Sequence, residues 1–184
     1  MGGKISPLQV TYKDKLVFRS VINLDGKDED KIIELLYDIF KSDFIDNRTY
    51  LAKDIYIDPK EKEKSKNKEN IFWHIITRVH QKSKKRELDQ QRAKRIKWIK
   101  SIILNHADSQ IKLFYNYEKN NKIRLYLWAY DVDFIVIIQK LGKKSSYLVT
   151  SFYIDKHYNR NIYQKRYKNY MNKKDENLLN CEWF

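Results

Sequence analysis

Apolar positions along the chain follow two periods. Ile32, Leu35, Leu36, Ile39 and Phe40 recur at intervals of three and four, which puts them on one stripe of a helix. Asp28 stands before this run as an N-cap, and acidic residues in the first turn suit the helix dipole. The spacing predicts an amphipathic helix over 29–41 with its stripe towards a core. A second helix is expected over 87–105, where Arg92, Ile96, Ile99 and Ile103 share one face and Arg95 and Ile102 lie beside it. Lys94, Lys97 and Ser101 take the opposite face, and Asn105 is the expected terminator. A third helix is expected over 156–172, basic and rich in tyrosine.

Strand-like runs fill the space between the second and third helices: 111–117, 123–130, 133–140 and 146–154. Asn120-Asn121, Asp131-Val132-Asp133 and Leu141-Gly142-Lys143-Lys144 supply the turns. Connections this short imply an antiparallel meander. Phe134 to Ile138 are apolar on both faces, so their strand should be central. Nearer the start, 8–24 alternate loosely as a strand or hairpin, and a weak strand ends at Asp58-Pro59. Residues 60–69 offer no apolar side chain and are expected as a solvated linker. Ile71 to Ile76 are apolar throughout, consistent with a short buried segment leading to a loop at 80–86. The fold class expected is α+β: helices packed on a four-stranded antiparallel meander sheet, with an additional N-terminal strand and helix region. The chain divides into an N-terminal extension over 1–69 and a second domain over 70–184.

Charge narrows the function. A net charge of +14 over 184 residues favours a polyanionic partner, nucleic acid first and an anionic membrane surface second. An AT-rich coding sequence would also raise Lys, Asn, Ile and Tyr, leaving the lysines as mere solvation. Cys181 is the only cysteine, so an intramolecular disulfide is excluded and a reducing cytosol is the expected environment. No apolar run approaches the roughly 18 residues that span a bilayer. The first residues lead into no apolar signal region. Met1-Gly2 with Ser6 matches a short myristoylation pattern, but the pattern is common and no membrane partner is expected. A cytoplasmic location follows.

Several chemistries are excluded by absence of their motifs. No His/Cys cluster has zinc spacing, and Asp131 and Asp133 belong to a turn. Gly2, Gly3, Gly26 and Gly142 form no phosphate loop, and no Gly-x-Ser-x-Gly elbow occurs. Kinases, nucleotide-fold oxidoreductases and serine hydrolases are therefore set aside, and no metal or cofactor is expected. Three groups remain. His74 could act as general acid or base near neutral pH, or be a core histidine satisfied by one hydrogen bond. Arg78 lies four residues on, where an anion could be held between them. Arg92 and Arg95 on a helix stripe must be paired, snorkelling or bound to an anion; phosphate offers bidentate geometry and Asp89 offers a pair. Thr150 could bond a phosphate oxygen, or be an ordinary strand threonine. Period two puts it on the face of Leu148, Phe152 and Ile154, leaving Tyr147 and Tyr153 on the other face to stack on bases.

Phe72-Trp73-His74-Ile75-Ile76-Thr77-Arg78, then Arg92-Ala93-Lys94-Arg95-Ile96-Lys97-Trp98-Ile99, then Tyr147-Leu148-Val149-Thr150-Ser151-Phe152-Tyr153 follow one another over about 70–155. This order of pieces resembles the barnase–EndoU–colicin–RelE superfamily of small ribonucleases, in its phage- and toxin-associated branches. The resemblance implies a metal-independent endoribonuclease. The 2′-hydroxyl attacks the adjacent phosphorus and leaves a 2′,3′-cyclic phosphate and a 5′-hydroxyl. It further implies His74 as base or acid, Arg92 with Arg95 or Arg78 as stabilisers of the phosphorane, and Thr150 as a positioning group. RNA, as tRNA or mRNA, is the implied substrate, and an acidic immunity or antitoxin protein is an implied partner. Two other classes compete. One is a non-enzymatic nucleic-acid-binding protein with Tyr and Trp as stacking platforms. The other is a phage or host protein-interaction module.

Overall fold

Residue 18 and residues 20–59 and 64–184 are described by the computed structural model. In chain order the elements are α1 (Glu29–Phe40), which runs on into a π-helical turn (Lys41–Asp46), β1 (Tyr50–Leu51), β2 (Ile55–Asp58), β3 (Lys64–Ser65) and β4 (Lys68–Glu69). There follow α2 (Asn70–Ile76), β5 (Thr77–Val79), β6 (Arg86–Leu88), α3 (Gln90–Ala93) and α4 (Ile96–Leu104). The remainder is β7 (Ile111–Tyr117), β8 (Ile123–Ala129), β9 (Phe134–Lys140), β10 (Ser145–Tyr153) and α5 (His157–Met171). The class is α+β, as the periodicities predict.

The sheet corrects the expected architecture. It is not a four-stranded antiparallel meander but a mixed six-stranded sheet, ordered β1-β2-β10-β9-β8-β7. The strands from β7 to β10 pair antiparallel in succession. The addition is β2, which lies parallel to β10 with Ser146 opposite Ile57, and carries β1 as the edge. Ser146 is fully buried at this seam, and its hydroxyl donates to the Tyr56 carbonyl at 3.1 Å. A strand of four residues between Asp54 and Pro59 carries too little alternation to announce a sheet partner about ninety residues away.

Burial explains why β9 lies inside the sheet. Phe134 to Gln139 are all buried, so each face of this strand meets a packed layer. One face joins Leu36, Phe40, Phe72, Ile99 and Ile103, from helices α1, α2 and α4. The opposite face holds Phe114, Tyr126, Trp128, Ile135 and Ile137 and is covered by Tyr163 and Tyr167 of α5. Each fully buried side chain of this size contributes about 1.5–3 kcal/mol. None of the residues of α5 is itself buried. The helix is fastened by its Tyr163 and Tyr167 rings and by polar contacts: Arg160 donates to the Asp133 carboxylate at 2.7 Å and to the Tyr130 carbonyl at 3.2 Å.

Three further expectations are corrected. The segment 87–105 is not one helix: β6 ends at Leu88, Asp89 caps α3, and the chain breaks at Lys94–Arg95 before α4. A continuous helix would hold Arg92 on the stripe of Ile96, Ile99 and Ile103, all buried. The break turns it away from that stripe. The loop expected at 80–86 is present over 80–85 and joins β5 to β6 of a two-stranded antiparallel hairpin, which was not expected. The expected linker carries a second small hairpin, β3 with β4; residues 60–63 lie outside the described residues. So do 8–17 and 19 of the expected N-terminal strand or hairpin. Phe18 packs on Trp98 at 5.2 Å, and Ile22 donates its N–H to the Lys94 carbonyl, with no strand at 20–24. At the other end, the Trp183 N–H donates to the Tyr115 hydroxyl, and the indole packs against that ring.

The turn from β1 to β2 stores strain. Ala52 (φ 49°) and Lys53 (φ 71°) both sit in the left-handed region, which costs a residue with a Cβ about 1–2 kcal/mol. Glycine removes that cost. Lys53→Gly should therefore raise stability by about 1 kcal/mol in urea unfolding; a lower midpoint would show that the turn carries no such strain.

Candidate nucleic-acid interface

The β5–β6 hairpin is pinned at its root and charged at its tip. Thr77 pairs with Leu88, Arg78 with Glu87 and Val79 with Arg86. His80 donates its N–H to the Lys85 carbonyl at 2.9 Å, and Lys84 returns one to His80 at 3.0 Å. Arg78, Lys82, Lys84, Lys85 and Arg86 are all exposed, and no carboxylate occurs between Arg78 and Arg86. The tip faces the start of α5: Arg78, His80, Lys82, Asp155 and Lys156 line a cleft of ≈ 340 Å³. From there the exposed face of α5 continues the charge through Lys165 and Lys168.

Asp89 holds the root. Its carboxylate accepts from the N–H groups of Gln91 and Arg92, at 2.9 and 3.2 Å, as the N-cap of α3. The same carboxylate lies 3.4 Å from Nε of Arg92 and 3.6 Å from Nε of Arg78. Arg92 in turn donates from Nη1 to the carbonyls of His74 and Thr77, at 3.2 and 3.1 Å. It thereby caps the C-terminal end of α2, where a cation suits the dipole. Its guanidinium lies 5.7 Å from the Phe152 ring centre. Burial pushes the Arg92 guanidinium down from its usual pKa, and Asp89 opposes the shift.

The residues singled out in the sequence are distributed over several places. Arg78, Arg92 and Tyr153 share a cleft of ≈ 360 Å³ with Asp89, Asp155 and Tyr163. Its two guanidiniums are matched by two carboxylates, since Arg78 also reaches Asp155 at 3.5 Å. Arg95 stacks on Tyr153 at 4.3 Å and donates to Gln91; burial pushes its pKa down too. His74 lines a different cleft, of ≈ 350 Å³, with Lys66, Asn70, Trp73, Thr77 and Arg86. Its backbone carbonyl accepts from Arg92. Thr150 lines neither cleft. A bulge between Leu148 and Thr150 shifts the alternation of β10. Leu148 packs with the core on the side of α1, whereas Val149 and Phe152 pack on the side of α5. Thr150, opposite Ile137, thus shares a face with Phe152 but not with Leu148. Tyr147, opposite Gln139, also falls on that face, and Tyr153, opposite Phe134, on the other.

The sequence reading missed Asp89 as the organiser, although an Asp three residues before Arg-Ala at a helix start is an N-cap signal. It also passed over Lys82, Lys84 and Lys85 as a loop, and Arg86 as its end. Among the described residues no group of three His, Cys, Asp or Glu could hold a metal ion. Nor is any helix there long and apolar enough to cross a membrane. Compared with models of known protein families, with curated proteins and with solved structures, the chain matches none.

Arg92→Ala leaves the His74 and Thr77 carbonyls without this donor and takes one of two cations from the Asp89 carboxylate, which keeps its backbone N–H donors. The substitution should lower unfolding stability by about 2 kcal/mol. An unchanged urea midpoint would contradict the structural role of Arg92.

Proposed function

We propose that this protein binds RNA along the β5–β6 hairpin and the adjoining face of α5. The observation that carries the reading is the set of exposed cations Lys82, Lys84, Lys85 and Arg86 on a pinned hairpin, in a stretch from Arg78 to Arg86 that contains no carboxylate. Phosphate neutralisation releases condensed counterions, so such a surface binds strongly at low salt and loses affinity steeply as salt rises. Preorganisation of the hairpin by Asp89 and Arg92 reduces the ordering cost of binding. Tyr153 and Tyr158 flank the path and offer rings to bases.

The test is the salt dependence of binding to a labelled single-stranded RNA. Each phosphate contact contributes about 0.7 to the slope of log K against log salt. Lys82→Ala/Lys84→Ala/Lys85→Ala should flatten that slope by about 2 while the thermal melt is kept. A slope untouched by the triple variant would move the binding surface elsewhere.

One observation favours a second reading, in which the bound RNA is also cut without a metal. His74, Thr77 and Arg86 line one cleft at the root of the hairpin, and the Arg86 guanidinium is held by the Thr77 hydroxyl at 3.2 Å. In this reading His74 takes the proton of the 2′-hydroxyl as it attacks phosphorus, or supplies a proton to the departing 5′-oxygen. Arg86 faces the developing phosphorane charge. Arg92 is engaged by Asp89 and two carbonyls, so the charge-stabilising role passes to Arg86. Incubation with RNA in EDTA should then yield cyclic-phosphate ends, reduced about 10²-fold or more by His74→Ala with binding retained. Intact RNA in that assay would leave a binding protein alone.

A further inference from the structure

The cleft beside His74 differs in kind from the open cationic face. Its walls include Ile33, Ile76 and Leu88, with the Trp73 indole beside them. The indole is fixed, because its Nε1–H donates to the Ser65 carbonyl at 2.9 Å. Asn70, with both donor and acceptor on its amide, adds polar atoms that can match heteroatoms on a ligand edge. Lys66 and Arg86 bring positive charge from two separate hairpins, and Glu29 at the start of α1 adds one carboxylate, so the lining stays net positive. Lys66 lies 5.6 Å from the Trp73 ring centre. A volume of ≈ 350 Å³ sits at the small end of the roughly 300–1,000 Å³ typical of small-ligand sites.

A ligand that satisfies all of these features is flat, edged with hydrogen-bonding heteroatoms, and anionic at one end. We propose that this cleft holds one nucleoside monophosphate unit, its base against Trp73 and the aliphatic walls and its phosphate on Arg86 and Lys66. Arg86 belongs both to this cleft and to the cationic run of the hairpin. A strand lying along the hairpin can therefore place a phosphate on Arg86 and turn the attached base inward. Only an unstacked base can make that turn, so single-stranded RNA is selected over duplex. The cellular role of the site rests on the RNA-binding reading; its chemistry does not.

Isothermal titration of the full chain with adenosine and uridine 5′-monophosphates, the matching nucleosides and inorganic phosphate tests the site. Both monophosphates should bind at least about ten-fold more tightly than either the nucleosides or phosphate, because base and phosphate contacts act together. Arg86 is exposed, so Arg86→Ala should keep the fold and weaken the monophosphates about ten-fold, the loss expected for one charge-assisted contact. Trp73→Leu should weaken nucleosides and monophosphates alike. Monophosphates that bind no better than phosphate, or that ignore Arg86→Ala, overturn the site. If they fail while RNA still binds with its salt slope, only the site falls. If they bind as expected while RNA does not, the RNA reading falls and the nucleotide site stands.

Discussion

The carboxylate of Asp89 and the guanidinium of Arg92 tie together four pieces of chain that also pack against one another. Through them the end of α2, the root of the β5–β6 hairpin, the start of α3 and the edge of β10 meet at one place. Each bond answers a need that burial creates: unpaired helix-end carbonyls, orphan N–H groups at a helix start, and a guanidinium drawn partly out of water. An exposed ion pair would contribute little. Here the carboxylate is 11% exposed and the guanidinium 21%, so the contacts are shielded and geometrically fixed. The hairpin projects from this node, and so do both clefts beside it.

The electrostatic plan separates binding from scaffolding. Near the node, cations are matched by carboxylates: Arg78 and Arg92 by Asp89 and Asp155, Arg160 by Asp133. Beyond it, on the hairpin and the outer face of α5, lysines are exposed without such matches between Arg78 and Arg86. Charge that holds the fold together lies inside, and charge that can meet a polyanion lies outside. The net charge of +14 is thus an average over two populations with different roles.

Periodicity revealed the elements but not their assembly. The helix over 29–41 was legible from its buried stripe, the last four strands from their apolar runs and short turns, and the C-terminal helix from its basic, tyrosine-rich composition. The break between α3 and α4 was hidden, since Arg92 falls in phase with Ile96 and Ile99. Charge burial, not periodicity, decides that the chain must turn there. The parallel pairing of β2 with β10 was hidden because a crossover partner leaves no local mark. The bulge after Leu148 was hidden because Leu148 and Val149 are both apolar, so either can be read as the inward position. It leaves Thr150 on the face of Phe152 but takes Leu148 off that face and puts Tyr147 on it, against strict alternation. The candidate site suffered accordingly: Arg78, Arg92 and Tyr153 come together, His74 lines a separate cleft, and Thr150 lies apart from both.

The claim on which the rest turns is that the hairpin is the surface that meets RNA. A titration of isotope-labelled protein with a short single-stranded RNA, followed through backbone amide shifts, tests it residue by residue. The account predicts shifts concentrated at Arg78–Arg86 and the first turns of α5, fading as salt is added. Shifts centred on the α1–α4 side of the molecule, with the hairpin silent, would contradict it.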